Sequence, residues 1–200
     1  MHPPRIVLAS TSRYRRELLG RLRLPFEVAA PDVDEAPLTQ EAPLTQEAPR
    51  ATALRLAQAK ARMIAPAFPD ALIIGCDQVA ELDGSCLGKP GNHGNAIAQL
   101  RAMRGKEVVF HTALALLNTR SAAIQTAEVP TVVRFRRYSD QEIERYLELE
   151  QPYDCAGSAK IEGLGIVLVE RVAGDDPSAL IGLPLMQLAE MLRKEGLAIV

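Results

Sequence analysis

Residues 71–82, ALIIGCDQVAEL, constrain this chain more than any other stretch. Ala71 to Cys76 are apolar or glycine, and Asp77 and Gln78 follow at once. The run is far shorter than the roughly 20 residues of a membrane-crossing helix and reads as a buried strand. A DG turn at Asp83-Gly84 closes it. Coming straight after the apolar run, Asp77 is expected at or near a strand end. In open α/β sheets, strand ends are where ligands bind. A carboxylate there can hold a divalent metal or take a proton from water. An Asp that only caps a turn is the structural alternative.

The segments around this strand alternate in type. RIVLA (5–9) and FEVAA (26–30) read as short strands, with a helix between them from about Ser12 to Arg23. ATALRLAQAKARMIA (51–65) is helical by composition and spacing, as are residues 94–104. EVVFHTALALLN (107–118) and AAIQTAEVPTVVRFR (122–136) read as paired strands joined around Asn118–Ser121. Helix 139–150 opens on Ser139 with Glu142 three residues on, a capping signature. IVLVERV (166–172) reads as a strand, and LPLMQLAEMLRKEG (183–196) as a last helix stopped by Gly196. Alternation with some directly paired strands predicts an α/β fold with a mixed sheet. At 200 residues the chain makes one domain, 1–200, or one domain with two lobes.

One segment breaks the pattern. EAPLTQ occurs at 35–40 and again at 41–46, and prolines fall at 31, 37, 43 and 49. Proline at that density excludes a helix interior or a central strand. The stretch reads as an extended acidic loop, and a six-residue duplication there costs little closure entropy.

Bulk properties exclude several classes. A net charge of -2 and 4% aromatics argue against a nonspecific nucleic-acid binder. No apolar run approaches membrane-spanning length, and MHPPRIVLAS has no signal-peptide pattern. Cys76, Cys86 and Cys155 lack metal-ligand spacing, and such scattered cysteines fit a reducing cytoplasm.

Any anion site must therefore be local. STSRYRRELL begins a helix with Ser10, Thr11 and Ser12 followed by Arg13, Arg15 and Arg16. Free N–H groups, the helix dipole, hydroxyl donors and guanidiniums together suit phosphate. A capped, solvated helix with surface arginines is the bland alternative. LGKP places Lys89 in a restricted turn that suits phosphate or simply the surface. Lys60 sits on a mostly apolar helical face, from which it could snorkel to solvent. CAGSAKIEGLG (155–165) is Gly-rich and carries Glu162, but it is neither a P-loop nor a dinucleotide fingerprint. A hairpin tip with an exposed Glu is its plain reading.

Taken in order, LASTSRYRRELL, PDVDE, LRLAQAKA, LIIGCDQV, LGKP, YDCAGSAKIEG and LIGLPL resemble the Maf family of nucleotide pyrophosphatases, over about residues 5 to 196. The resemblance implies a two-lobed α/β fold, with a central mixed twisted sheet flanked by helices and a nucleotide-binding cleft. It implies hydrolysis of a nucleoside triphosphate to the monophosphate and pyrophosphate with a divalent cation, Mg²⁺ or Mn²⁺. By motif, Asp77 matches the proton acceptor, and Ser10, Arg15, Lys60 and Lys89 the phosphate-facing set, with Ser12 a further substrate-binding residue. Glu35 matches an acidic residue that helps Asp77 place metal. Glu41 and Glu47 stand in near-identical sequence, so a register shift of the duplicated loop would offer either in its place. A small-molecule nucleotide substrate, a homodimer and a cytoplasmic location are further expectations, with neither nucleic acid nor membrane as partner.

Three motif positions, Tyr14, Gln78 and Glu162, resemble the branch acting on 7-methyl-GTP rather than the branch acting on dTTP and UTP. The chemistry agrees. N7-methylation makes guanine cationic, and a Tyr face favours a cationic ring by roughly 0.5–2 kcal/mol. Glu162 can accept from N1–H and the exocyclic amine, a donor pair that uracil and thymine lack; leaving such a group unpaired costs roughly 1–3 kcal/mol. The alternatives are a dTTP/UTP pyrophosphatase of the same family and a nucleotide-binding regulator of cell division.

Overall fold

The computed structural model describes residues 4–31 and 47–200. Both EAPLTQ copies, with Glu35 and Glu41, lie outside the described residues. Strands β1 (Arg5–Ala9), β2 (Glu27–Ala29), β3 (Ala71–Leu82), β4 (Ser85–Leu87), β5 (Glu107–Asn118), β6 (Ile124–Phe135) and β7 (Val169–Ala173) form one sheet in the order β2-β1-β3-β5-β6-β7, with β4 on β3. The sheet is mixed: β1 runs parallel to β2 and β3, while β3–β4 and β6–β7 are antiparallel. Five α-helices accompany it among the described residues: α1 (Arg13–Gly20), α2 (Pro49–Ile64), α3 (His93–Met103), α4 (Asp140–Glu150) and α5 (Leu185–Lys194). The α/β, mixed-sheet expectation is met.

The chain divides into two compact units. Unit 1 comprises Met1–Asp77, Thr112–Val129 and Asp176–Val200; unit 2 comprises Gln78–His111 and Pro130–Asp175. The core of unit 1 gathers Ile6 and Leu8 from β1, Leu72, Ile74 and Cys76 from β3, and Leu18 and Leu19 from α1, with Leu188, Met191 and Leu192 from α5. These strand residues alternate, as the period of two requires. Residues 73, 75 and 77 therefore point to the other face, towards α2. There α2 presents Ala53, Leu56, Ala57, Lys60, Ala61 and Ile64, a buried stripe at helical spacing. In unit 2, Leu100, Met103, Tyr138, Ile143, Tyr146 and Leu147 are buried.

Element ends follow local chemistry. Ser12 caps α1 by accepting from the Arg15 amide, and Ser139 with Glu142 forms a complete capping box on α4. Past α5, Leu197 N–H donates to the Leu192 carbonyl and Gly196 N–H to Arg193, with Gly196 at φ +80°, the expected glycine stop. Three expectations shift. The first helix, expected to run to Arg23, ends at Gly20, and Arg23 is left-handed. FEVAA forms a strand only over Glu27–Ala29. IVLVERV does not begin as a strand: Leu164–Leu168 is a 3-10 turn, and β7 starts at Val169.

Candidate active site

The site in unit 1 starts from a missing side chain. A Cβ on Gly75 would stand 2.1 Å from the Ala57 carbonyl oxygen and 2.9 Å from the Ala61 amide nitrogen. Only glycine lets α2 press this closely on β3. Two residues further along the same face stands Asp77, and one turn along α2 from Ala57 stands Lys60. Lys60 Nζ donates to Asp77 Oδ1 at 2.6 Å, and both residues are buried, at 4% and 7% exposure. A buried pair of this kind is costly to break from one side, because the remaining charge is left without a counter-ion. The ammonium fixes the carboxylate's orientation, and neither residue snorkels.

Asp77 is not at the end of its own strand. β3 continues through Leu82, five residues beyond it. The end that matters belongs to the neighbour: β1 pairs with β3 only as far as Ala9 opposite Gly75. Asp77 thus lies just past the carboxyl end of β1, the edge at which parallel sheets bind ligands. Ser10 follows β1 directly and is 4% exposed; its Oγ accepts from the Ser12 amide at 3.1 Å. Ser12 Oγ accepts from the Arg15 amide at 3.4 Å. Each hydroxyl uses a lone pair on the helix start and keeps its proton to donate.

Arg15 is aimed by a backbone carbonyl. Its Nε donates to Gly182 O at 3.0 Å, and Cys76 Sγ donates to the same oxygen at 2.9 Å. Gly182 sits at φ +120°, a conformation L side chains rarely adopt, and a Cβ there would meet Arg15 Nε at 3.5 Å. Its loop is tied to the start of α5: buried Asp176 accepts from Ser178 and from the Met186 amide, and Ser178 Oγ accepts from Leu185. Burial pushes the Cys76 thiol up, while Arg15 pulls it down, Asp77 raises it and Lys60 lowers it. Arg15 and Cys76 thus share one carbonyl, and the residue next to Cys76 is Asp77 with its partner Lys60. Cys76 and Asp77 point to opposite faces of β3, so at this point the α2 face offers the Asp77 carboxylate oxygens and not the Cys76 thiol. That donor chemistry fits a hard divalent cation, which binds through one or two carboxylates plus phosphate and water oxygens. Among the described residues, no three His, Cys, Asp or Glu side chains converge.

Tyr14 is half-buried, and the Arg13 guanidinium lies over its ring at 5.2 Å from the centroid. The ring face thus already takes a cation. Glu47, a possible stand-in for Glu35, is engaged elsewhere: it accepts from Thr52 at 3.0 Å and from Arg55 at 2.8 Å. Those bonds hold its carboxyl below the usual range. Its local sequence copies that of Glu35, but its position at the start of α2 gives it a structural partner.

Unit 2 holds Gln78, Lys89 and Glu162. Gln78 is half-buried in β3, and Lys89 is exposed in the turn after β4. Residues 155–165 are not a hairpin tip. Ala156–Ser158 makes a tight turn through left-handed backbone at Gly157 and Ser158, and the chain around Glu162 is clamped by Glu150. Glu150 takes Lys160 as an ion pair and accepts from the Leu164 amide at 2.7 Å, two residues to either side of Glu162. A Cβ on Gly165 would come within 2.6 Å of the Lys160 carbonyl oxygen, so the turn closes only with glycine there. Glu162 is exposed at the turn's surface, yet partial desolvation by its surroundings raises its pKa.

The sequence reading passed over Gly75 and Gly182. A glycine inside an apolar strand signals close backbone approach, and IIGC carried that signal.

Comparison with known proteins shows the family of the chain. Residues 5–195 match the family model described as Maf-like protein. A 7-methyl-GTP pyrophosphatase of Thiobacillus denitrificans is 59% identical over 193 residues, covering 96% of this chain and 93% of that protein. One from Methylobacillus flagellatus is 57% identical over 197 residues, covering 98% and 100%. One from Cupriavidus metallidurans is 57% identical over 193 residues, covering 96% and 94%. With the match running from β1 past the end of α5, the chain belongs to the Maf-like protein family.

Proposed function

We propose that this chain is a nucleoside triphosphate pyrophosphatase acting on 7-methyl-GTP, working as one domain over 1–200. The observation that carries the reading is the buried Lys60–Asp77 pair just beyond the end of β1, in a chain whose relatives bear that activity in their names. In the reaction, Asp77 accepts a proton from water as the water oxygen attacks the α-phosphorus. The bond from that phosphorus to the bridging oxygen breaks, and pyrophosphate leaves with the electron pair. Lys60 holds the carboxylate in place, and Arg15, Ser10, Ser12 and Lys89 offset charge on the phosphate oxygens. Asp77, with Glu35, would hold a Mg²⁺ or Mn²⁺ ion, whose chemistry is further charge withdrawal from the phosphates.

Base choice rests on Tyr14, Gln78 and Glu162. Tyr14 carries a cation on its ring face, which supports stacking on the cationic 7-methylguanine. Glu162 offers a carboxylate to N1–H and the amine. The scattered cysteines Cys76, Cys86 and Cys155 agree with a cytoplasmic location. Among the described residues no helix is long and apolar enough to cross a membrane. The reading includes a homodimer, which the family resemblance supports and sedimentation would test.

The test is pyrophosphate release from 7-methyl-GTP, GTP, dTTP, UTP and CTP, with Mg²⁺ or Mn²⁺. Preference for 7-methyl-GTP over GTP is the expected result. Preference for dTTP or UTP would overturn the base assignment, and no turnover would favour a nucleotide-binding regulator. Asp77→Asn is expected to abolish turnover while nucleotide still binds; unchanged turnover would remove Asp77 from the reaction.

A further inference from the structure

One side chain in unit 2 ties the Lys89 turn to the Glu162 loop. Gln99, on α3, donates from Nε2 to the Gly88 carbonyl at 3.0 Å, and its Oε1 accepts from Ser158 Oγ at 2.5 Å. The two bonds fix each other's direction: a carbonyl can only accept, so the amide nitrogen must face Gly88, and the amide oxygen is left for the Ser158 hydroxyl. Gly88 O also receives the Gly157 amide at 3.2 Å, so turn and loop are joined twice at one carbonyl. The next residues are held as well. Asn95 donates to Pro90 O at 2.9 Å, and Gly91 N–H to Tyr153 O at 3.0 Å. Lys89 thus extends from a turn fixed on both sides.

Ser158 gives the second observation. It is fully buried and adopts φ +57°, left-handed backbone that glycine takes readily and serine takes only at a cost. Glycine would relieve that strain and lose the hydroxyl. Serine keeps the bond to Gln99, while the Ser158 carbonyl takes the Tyr146 hydroxyl at 3.2 Å and the Lys160 amide donates to that same hydroxyl at 3.0 Å. From Lys160 the chain enters the Glu150 clamp that presents Glu162.

We infer that Gln99 is a positioning residue which holds the phosphate-facing Lys89 turn and the base-facing Glu162 loop at one fixed spacing. This rests on the proposed pyrophosphatase reading. Gln99 touches no reacting atom; it acts through Lys89 and Glu162.

The two ends can be cut separately. Gln99→Leu removes both bonds. Gln99→Glu keeps an acceptor for Ser158 and removes the donor to Gly88. Ser158→Ala removes the loop end alone. Turnover of 7-methyl-GTP, GTP and UTP is measured for wild type, each variant, Lys89→Ala and the Lys89→Ala/Gln99→Leu double, with thermal midpoints alongside. Gln99→Leu is expected to lower kcat/KM for 7-methyl-GTP by roughly 10- to 100-fold, the scale for misplacing a catalytic group by about an ångström. In the Lys89→Ala background the same change is expected to cost less than about 3-fold on UTP, because the residue it positions is gone. Ser158→Ala is expected to reduce the preference for guanine over uracil more than it reduces the rate on UTP.

A merely structural Gln99 would instead lower the midpoint and leave the losses multiplicative in the double variant, which overturns the inference. Full activity in both Gln99→Leu and Gln99→Glu also overturns it. A wild-type protein inert towards every nucleotide overturns the functional reading, and the inference falls with it; an active wild type with independent Gln99 and Lys89 effects overturns the inference alone.

Discussion

The α2–β3 face of unit 1 and the 155–165 loop of unit 2 both present charged groups, but they fix them differently. On the first, Lys60 and Asp77 project from regular elements, are nearly excluded from water, and are set by how closely two backbones approach at Gly75. On the second, Glu162 is exposed and its position is set by hydrogen bonds and one ion pair, from Gln99, Tyr146 and Glu150. Packing tolerates little displacement. A hydrogen-bonded loop can be re-aimed by changing a single partner. The group assigned to bond cleavage therefore sits where geometry is least adjustable, and the group assigned to base choice where it is most adjustable.

The sharpest way to break this comparison is to remove one half of the buried pair. Lys60→Met leaves Asp77 charged and uncompensated and is expected to lower stability by about 3–5 kcal/mol. Replacing both, as Lys60→Met with Asp77→Leu, is expected to regain most of that stability and none of the turnover. Urea unfolding and pyrophosphate release separate the two effects. A single variant as stable as wild type would mean that water reaches the pair.

Gly75→Ala comes next. The new Cβ collides with backbone, not with a flexible side-chain tip, so α2 has to move as a body. A stability loss of about 1–3 kcal/mol is expected, together with a roughly 100-fold loss of turnover as Lys60 and Asp77 part. Turnover that survives while stability falls would show that the pair tolerates a shift in helix position.

This contrast also explains what could be read in the sequence. Regular elements carry local signals: the start of β3 was read from its apolar run, α4 from its capping pair, and the end of α5 from Gly196. The Maf-family motifs picked out Asp77, Lys60 and Arg15 one by one. What held them in place could not be read, because it depends on residues far apart in the chain: Ala57 opposite Gly75, and Gly182 beneath Arg15. Asp77 was expected at a strand end because the apolar run stops at Cys76, yet strand length is set by pairing, and β4 carries β3 on to Leu82. Ile166 and Val167 have strand-forming side chains, but the tight turn gripped by Glu150 draws them into a 3-10 turn.

Base-reading variants should behave in the opposite way to core variants. Tyr14→Leu is expected to reduce the preference for 7-methyl-GTP over GTP by roughly 0.5–2 kcal/mol, about 2- to 30-fold, the value of a cation on an aromatic face. Glu162→Gln is expected to reduce the preference for guanine over uracil by roughly 1–3 kcal/mol. Glu162→Gln should not shift the unfolding midpoint appreciably, since exposed substitutions usually stay within about 0.5 kcal/mol, and Tyr14→Leu, at a half-buried position, should shift it less than either core variant. Kinetics on the nucleotide panel and a thermal scan check both points. A large fall in midpoint for Glu162→Gln would mean that the loop depends on Glu162 for its shape, and the distinction between the two regions would weaken.

The smallest effect tests whether unit 2 can lose stability without losing its loop. The start of α4 is held by its capping box, and bonds from the Ser139 amide, Arg136 and the Ser139 hydroxyl hold the Glu142 carboxyl down at about 2. Its ordinary value is 4.5. A depressed carboxyl contributes fully above its unfolded value and loses the contribution as pH falls through the folded one. The cap should therefore weaken between pH 4.5 and about 2. Glu142→Gln is expected to flatten that part of the pH–stability curve. Ser139→Ala is expected to cost about 1 kcal/mol at neutral pH while leaving the amide bond to Glu142, and with it most of the acid sensitivity. Tyr146 and Glu150, which hold the loop, lie one and two turns further along the helix, beyond the reach of a frayed first turn. Base preference at neutral pH should then be unchanged in Ser139→Ala. A changed preference would mean that strain at the cap is transmitted along α4 to the loop, making the helix part of the device that aims Glu162.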